Sequence, residues 1–288
     1  MDKFIGTGVA LITPFKNDHS VDYKSLEKLV NFQIDNGINY LVILGTTGES
    51  ATLNSTERQQ VIETIIKTNN NRLPLVLGIG GNDTRQVIAD IKNTDLSKID
   101  AILSVSPFYN KPTQEGIYQH FKAIANSTKK DIIIYNVPHR TGKNIDPETV
   151  LRLANDCENI IAIKDAAGDM QQSFEIIKNK PNDFLVISGD DGLTLSAVLA
   201  GGSGVISVIG QGMPNEFTKM INLGLQGKNK EAFKIHYKLM ELTDLIFQEG
   251  NPAGIKAILK HKGICDINVR LPLIKVSDKL NKSIINNL

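Results

Sequence analysis

Short apolar runs rich in Val, Ile and Leu recur along the chain roughly every 25 to 30 residues, with helix-like alternation of polar and apolar positions between them. Eight such runs fall at residues 8–13, 40–45, 75–80, 101–106, 132–137, 160–166, 184–189 and 205–209. Each is nearly continuous in hydrophobicity, as expected of parallel strands covered on both faces. Strands alternating with helical segments are βα units, and eight of them predict a closed (β/α)8 barrel, a TIM barrel of the α/β class.

Helix-start signals support this division. Asp22 leads into a segment reaching residue 36, Asn54-Ser55-Thr56-Glu57 into one reaching 68, and Asp146-Pro147-Glu148 into one reaching 155. Gly37 and Gly116 are expected at turns. Beyond the eighth run, residues 215–224, 229–247, 253–260 and 277–286 all read as helices, with no further strand candidate. The expected organisation is a catalytic barrel over residues 1–224 and a C-terminal helical region over 225–288. A doubly wound open sheet is the alternative, but Gly78-Ile79-Gly80-Gly81 does not fit the GxGxxG spacing of a dinucleotide loop.

Composition narrows the function. Lys plus Arg is 32 and Asp plus Glu is 31, so nothing in the charge balance favours nucleic acid or an anionic membrane, and the expected partners are small molecules. No run approaches the roughly 18 apolar residues of a membrane span, and the first residues lack a basic segment followed by an apolar one. A cytoplasmic protein is expected. Cys157 and Cys265 are the only cysteines and form no CxxC, and the five histidines show neither HxH nor HExxH spacing. Two buried free thiols are expected, with no metal and no cofactor. Asp190-Asp191 could bind a cation, although Gly192 and the helix-like run after it favour a helix cap.

Barrel chemistry sits at the C-terminal ends of the strands. Lys164 is the one charged side chain in Ile160-Ile161-Ala162-Ile163-Lys164 and would point into the barrel centre. Burying an ammonium is costly, so such a lysine tends to lose its proton, and a neutral amine attacks ketones and aldehydes. Strand two ends in Gly45-Thr46-Thr47-Gly48-Glu49-Ser50, whose hydroxyls and N–H groups suit a carboxylate or phosphate, or else simply cap the following helix. Tyr135 could shuttle protons beside a neutral lysine or be an ordinary core tyrosine. Arg140 could hold a carboxylate bidentately or be a solvated surface residue.

Taken together, VALITPF at 9–15, GTTGES at 45–50, SPFYNKPTQEG at 106–116, YNVPHRTG at 135–142, IKDAAG at 163–168, SGDD at 188–191, GGSGVISV at 201–208 and NPAGIKAIL at 251–259 resemble the dihydrodipicolinate synthase family of the pyruvate-dependent class I aldolases. The likeness covers nearly the whole chain, and its specificity lies in the order and spacing of the pieces. It implies condensation of pyruvate with L-aspartate 4-semialdehyde in the diaminopimelate branch of lysine biosynthesis. By the resemblance, Lys164 forms the imine, and Thr46, Tyr109 and Tyr135 form a proton relay. Thr47, Ile206 and Gly189 serve pyruvate, and Arg140 holds the carboxylate of the semialdehyde. Tyr109 would reach the relay of a neighbouring subunit, implying at least a dimer and usually a homotetramer, a dimer of dimers. His139 departs from the small residue that many members carry.

Arg140 separates this reading from the sugar-acid lyases of the same superfamily, which generally lack an arginine there and bind neutral polyols. A non-catalytic sensor on the same barrel is expected to lose Lys164 or Tyr135, and a purely structural barrel would hold Lys164 in a salt bridge. Many family members are also inhibited by lysine at a dimer-interface site. Ser50, Ala51 and Asn82 match that site, whereas Gln86 replaces an acid, Phe108 a tyrosine, and Ser55 and Arg58 two histidines of the sensitive type. Weak or absent lysine feedback is expected.

Overall fold

The computed structural model describes residues 2–288. Eight strands, β1 (Gly6–Ala10), β2 (Tyr40–Ile43), β3 (Leu75–Gly78), β4 (Ala101–Val105), β5 (Asp131–Asn136), β6 (Ile160–Asp165), β7 (Leu185–Ser188) and β8 (Gly204–Ser207), pair in parallel and close into a barrel. The helices between them are α1 (Tyr23–Asp35), α2 (Ser55–Asn69), α3 (Thr84–Asn93), α4 (Gln114–Asn126), the one-turn α5 (Pro138–Thr141), α6 (Pro147–Asp156), α7 (Met170–Asn179) and α8 (Thr194–Leu199). After β8 follow α9 (Pro214–Leu225), α10 (Asn229–Gln248), α11 (Ala253–His261) and α12 (Asp278–Asn286).

The expected barrel is the observed one, with each strand ending one to three residues before its apolar run does and with two larger local corrections. β1 spans residues 6–10, not 8–13, because the chain leaves the sheet after Ala10 and the side chain of Gln211 bonds the next backbone groups, accepting from Ile12 N and donating to Ala10 O. Gly116 is not at a turn: it lies in the first turn of α4, where its N–H is capped by the Thr113 hydroxyl at 3.2 Å. The three expected helix starts hold, Asp22 and Asn54 with side-chain caps and Asp146 through Pro147 at the first helical position without one. Asn54 and Glu57 form the reciprocal capping box of α2, an arrangement worth about 1 kcal/mol.

Side-chain alternation divides the core in two. Residues such as Val42, Val76, Leu103, Ile133, Ala162, Ile187 and Ile206 face inward and fill the barrel. The alternate positions, among them Val9, Ile43, Leu77, Ile102 and Ile163, pack outward against the helices, and the same outer layer continues into Leu239, Leu242, Ile246, Ile255 and Ile258 of the C-terminal helices. The bottom of the barrel is plugged by Tyr40, which packs edge-on against Phe4 with ring centres 5.5 Å apart and donates its hydroxyl to Val205 O at 3.0 Å. Gly8 makes that possible, since a Cβ there would lie 2.2 Å from the Tyr40 ring. With the bottom filled, the polar inward positions are left to the opposite end.

Candidate active site

At that end the register of β5 and β6 pairs Tyr135 directly with Lys164. Same-register residues on neighbouring parallel strands point to the same face, so both enter the barrel. Lys164 is 6% exposed and its amine lies 4.2 Å from the centre of the Tyr135 ring. No carboxylate among the described residues pairs with it. The fully buried Lys256 is built quite differently: its amine meets Glu49 Oε1 at 2.5 Å and donates to Asn268 O at 2.7 Å. The structure thus holds two buried lysines, one in a salt bridge and one beside a tyrosine with no ion-pair partner. The salt-bridged barrel lysine of a purely structural protein is not the arrangement of Lys164.

Around Lys164 the sequence-derived candidates divide. Gly189, after β7, touches it: a Cβ at Gly189 would lie 2.9 Å from Lys164 Cε and 2.8 Å from Ala166 Cβ. Ile206 of β8 is buried inside the barrel. Thr47 is buried in the short turn after β2, its Oγ1 accepting from Asn251 Nδ2 at 2.8 Å, whereas Thr46 opens that turn and is exposed. Arg140 is exposed on α5, with no hydrogen bond or ion pair from its guanidinium among the described residues. Its neighbour His139 is held below the ordinary histidine range by partial burial and the Arg140 charge, with Asp190 acting in opposition. Tyr109 stands apart. It is 87% exposed with φ of 72°, so a single chain does not fold it into the buried cluster.

Several supporting residues escaped the sequence reading. Glu49 Oε2 accepts from Arg270 N while Oε1 takes Lys256, so the strand-two loop is fastened to the C-terminal region. Burial pushes the Lys256 amine down and Glu49 pulls it back up. A signal did exist, since Lys256 is the lone charge in the otherwise apolar AGIKAIL of α11. Asp191 Oδ2 accepts the N–H groups of Val208 and Ile209 at 3.0 and 2.8 Å, fixing the turn after β8, and Asp190 Oδ1 accepts from Gly192 and Leu193. Both acids therefore serve backbone groups, but neither is the expected helix cap: α8 starts after Leu193, whose side chain makes no capping bond, Asp190 closes the turn before it and Asp191 reaches the turn after β8. On the outer face of β5 and β6, Asn136 donates to Asp165 Oδ1 at 3.0 Å. Burial pushes the Asp165 carboxyl above the ordinary range despite these bonds.

The family model described as the dihydrodipicolinate synthetase family matches residues 3–288. The chain belongs to that family. It is 59% identical to the 4-hydroxy-tetrahydrodipicolinate synthase of Flavobacterium psychrophilum over 281 residues, covering 98% of this chain and 96% of the relative. Two solved structures superpose over nearly the full length. The chloride-inhibited dihydrodipicolinate synthase of Acinetobacter baumannii, complexed with pyruvate, matches with a TM-score of 0.95 at 39% identity, covering 98% and 97% of the two chains. The enzyme of Cyanidioschyzon merolae with lysine bound matches with a TM-score of 0.95 at 36% identity, covering 99% and 97%. No helix of the described residues is long and apolar enough to cross a membrane.

Proposed function

We propose that this chain is a 4-hydroxy-tetrahydrodipicolinate synthase, condensing pyruvate with L-aspartate 4-semialdehyde through an imine on Lys164. The observation that carries this is the buried Lys164 amine, free of any ion pair and set against Tyr135. The amine adds to the pyruvate ketone carbon, and loss of water from the carbinolamine gives a protonated imine, an electron sink. Removal of a methyl proton gives the enamine, whose carbon adds to the aldehyde. The semialdehyde's own amine then attacks the imine carbon, closing the ring and releasing Lys164. Every step is a proton transfer, addition or elimination, so none calls for a metal or an organic cofactor.

In this reading Tyr135 passes the protons, with Thr46 and Tyr109 continuing the relay to solvent. The Thr47 hydroxyl takes the pyruvate carboxylate, Ile206 contacts pyruvate through its backbone, and Gly189 leaves the space in which the adduct forms. Arg140 takes the carboxylate of the second substrate bidentately. The exposure and left-handed backbone of Tyr109 fit a residue lent to a neighbouring subunit, and we accordingly infer a homotetramer built as a dimer of dimers. We divide the chain into a catalytic barrel, 1–224, and a C-terminal helical region, 225–288, in a protein of the cytoplasm.

The test is mass spectrometry after borohydride reduction in the presence of pyruvate, paired with an assay of semialdehyde consumption by the untreated enzyme. An adduct on Lys164 that is lost in Lys164→Ala, together with consumption, is the expected result. Arg140→Ala should keep the adduct and raise the KM for the semialdehyde. An adduct without consumption would move the second substrate to a sugar-derived aldehyde, and no adduct would discard imine chemistry.

A further inference from the structure

The paired strands that set Tyr135 beside Lys164 inside the barrel set Asn136 beside Asp165 on its outer face, one residue further along. These two outward side chains bond each other, Asn136 Nδ2 donating to Asp165 Oδ1 at 3.0 Å. The amide orientation is fixed, because Asn136 Oδ1 accepts a backbone N–H from Ile145 at 3.0 Å and must be the oxygen. The same Asn136 nitrogen donates to Asn144 Oδ1 at 2.8 Å, and Asn144 in turn donates to Gln172 Oε1 at 2.7 Å. Gln172 Nε2 returns to Asp165 at 3.2 and 3.3 Å on its two oxygens, closing a ring of four side chains. Ser173 Oγ and Ala167 N complete the carboxylate's partners.

The ring joins three parts of the chain. Asn136 and Asp165 continue the two strands that carry the reacting pair. Gln172 and Ser173 belong to α7, which follows β6, and Asn144 and Ile145 end the loop that begins at Val137 and carries Arg140. Gln114 of α4 fastens the same end of that loop, its Nε2 donating to Asn144 O at 2.9 Å and its Oε1 accepting from Asp146 N at 3.1 Å. Buried polar groups this fully satisfied admit few alternative arrangements, since any slip of one strand against the other leaves several of them unpaired.

We propose that Asn136 and Asp165 are positioning residues: a hydrogen-bonded clamp behind the barrel wall that holds Tyr135 in register with Lys164 and ties the Arg140 loop to that same pair. Neither touches substrate, and both act through the residues they hold. The proposal rests on the imine reading of Lys164 given above, and it makes binding of the second substrate and formation of the first adduct depend on one network.

The test uses Asp165→Asn, Asn136→Ala and Asn144→Ala in the full chain. Asp165→Asn turns an NH2 group toward donors that need an acceptor. For Asp165→Asn and Asn136→Ala, the initial rate of borohydride trapping of pyruvate, per folded protein, should fall on the order of 10–100-fold with the adduct still on Lys164, the scale at which catalytic misplacement is felt. The double variant should trap no more slowly than the slower single one, as members of one network do. Asn144→Ala leaves the Asn136–Asp165 bond in place, so it should keep the trapping rate and raise the KM for the semialdehyde severalfold. Variants that melt earlier yet, once folded, trap pyruvate at the parent rate with an unchanged KM would overturn the clamp and leave a merely structural network. Failure of the parent enzyme to trap pyruvate strikes the Lys164 reading itself and is seen before any variant is made.

Discussion

Tyr135 and Lys164 are direct register partners on neighbouring strands, and the lysine amine sits 4.2 Å from the tyrosine ring centre. Ring and hydroxyl can be tested separately. Tyr135→Phe keeps the aromatic face and the packing but removes the phenolic hydroxyl to which the proton transfers are assigned in the proposed function. The rate of pyruvate trapping should fall by a factor on the order of 10²–10⁴, the usual contribution of a positioned acid or base, while the adduct mass stays on Lys164. An unaltered trapping rate would make Tyr135 a packing residue and leave proton transfer to water.

Gly189 sits against the Lys164 side chain on the β7 side. Adding one methyl group would bring it to 2.9 Å from Lys164 Cε and 2.8 Å from Ala166 Cβ, closer than carbon atoms tolerate. Gly189→Ala should therefore swing the lysine away, costing about 1–3 kcal/mol in overpacking and reducing kcat more than the KM for pyruvate. Thermal melts and steady-state kinetics on the one variant check both. Parent kinetics with lowered stability would show that the lysine stem yields without losing its aim.

The barrel and its lysine were legible because each rests on a local signal: a continuous apolar run for every strand, and one charge inside such a run. The glycine after strand seven is singled out only through resemblance, since a lone Gly in a loop carries no chemistry of its own, whereas the guanidinium of Arg140 offers bidentate carboxylate binding and needs the resemblance only to set it apart from a surface arginine. The buried pair Glu49 and Lys256 lies 207 residues apart in sequence and went unread. Neither residue betrays its partner locally, and an acid in a turn looks solvated until the fold places a helix beneath it. Asn136 and Asp165 were hidden for a further reason. They directly follow Tyr135 and Lys164, and the alternation of a strand sends them to the opposite face, away from the inward positions that carry the candidate chemistry.

Lys256 and Glu49 are both fully buried, so removing one member strands a charge. Lys256→Met should destabilise the fold by about 3–5 kcal/mol and loosen the strand-two loop that carries Thr47. Replacing both, Glu49→Gln with Lys256→Met, should recover much of that loss, because no charge is then left unpaired. Denaturant unfolding of the two singles and the double gives the coupling. Additive losses would mean that the two residues stabilise the fold independently.

Lysine feedback should be weak. In the candidate inhibitor site the position expected to be acidic is Gln86, whose amide is engaged by Asp90 Oδ1 at 2.8 Å. Arg58 is drawn over the same region, donating through Nε and Nη2 to Ser50 O at 3.2 and 2.9 Å. An incoming lysine ammonium thus meets a neutral amide where a sensitive enzyme offers a counter-charge, with the Arg58 cation standing in place of a histidine, a difference of about 1–4 kcal/mol for a pair at close range. Initial rates measured with lysine titrated into the millimolar range should hold steady, and Gln86→Glu should introduce sensitivity. Steep inhibition of the parent at micromolar lysine would mean that other groups supply the missing charge.

Alkaline pH should weaken the fold through Cys265. Burial pushes its thiol up to about 12 from an ordinary 9.0, so between those values the unfolded chain gives up a proton that the folded chain keeps. The unfolded state is then favoured, and stability falls with rising pH by up to about 1.4 kcal/mol per pH unit for this one group. Cys157 and Tyr40, also raised by burial, add slopes of the same sign. Cys265→Ala removes one contributor, so its unfolding free energy should decline less steeply than the parent's from pH 9 upward, even if the smaller side chain lowers stability at neutral pH. Parallel declines in the two proteins would mean that Cys265 ionises as readily in the folded chain as in the unfolded one.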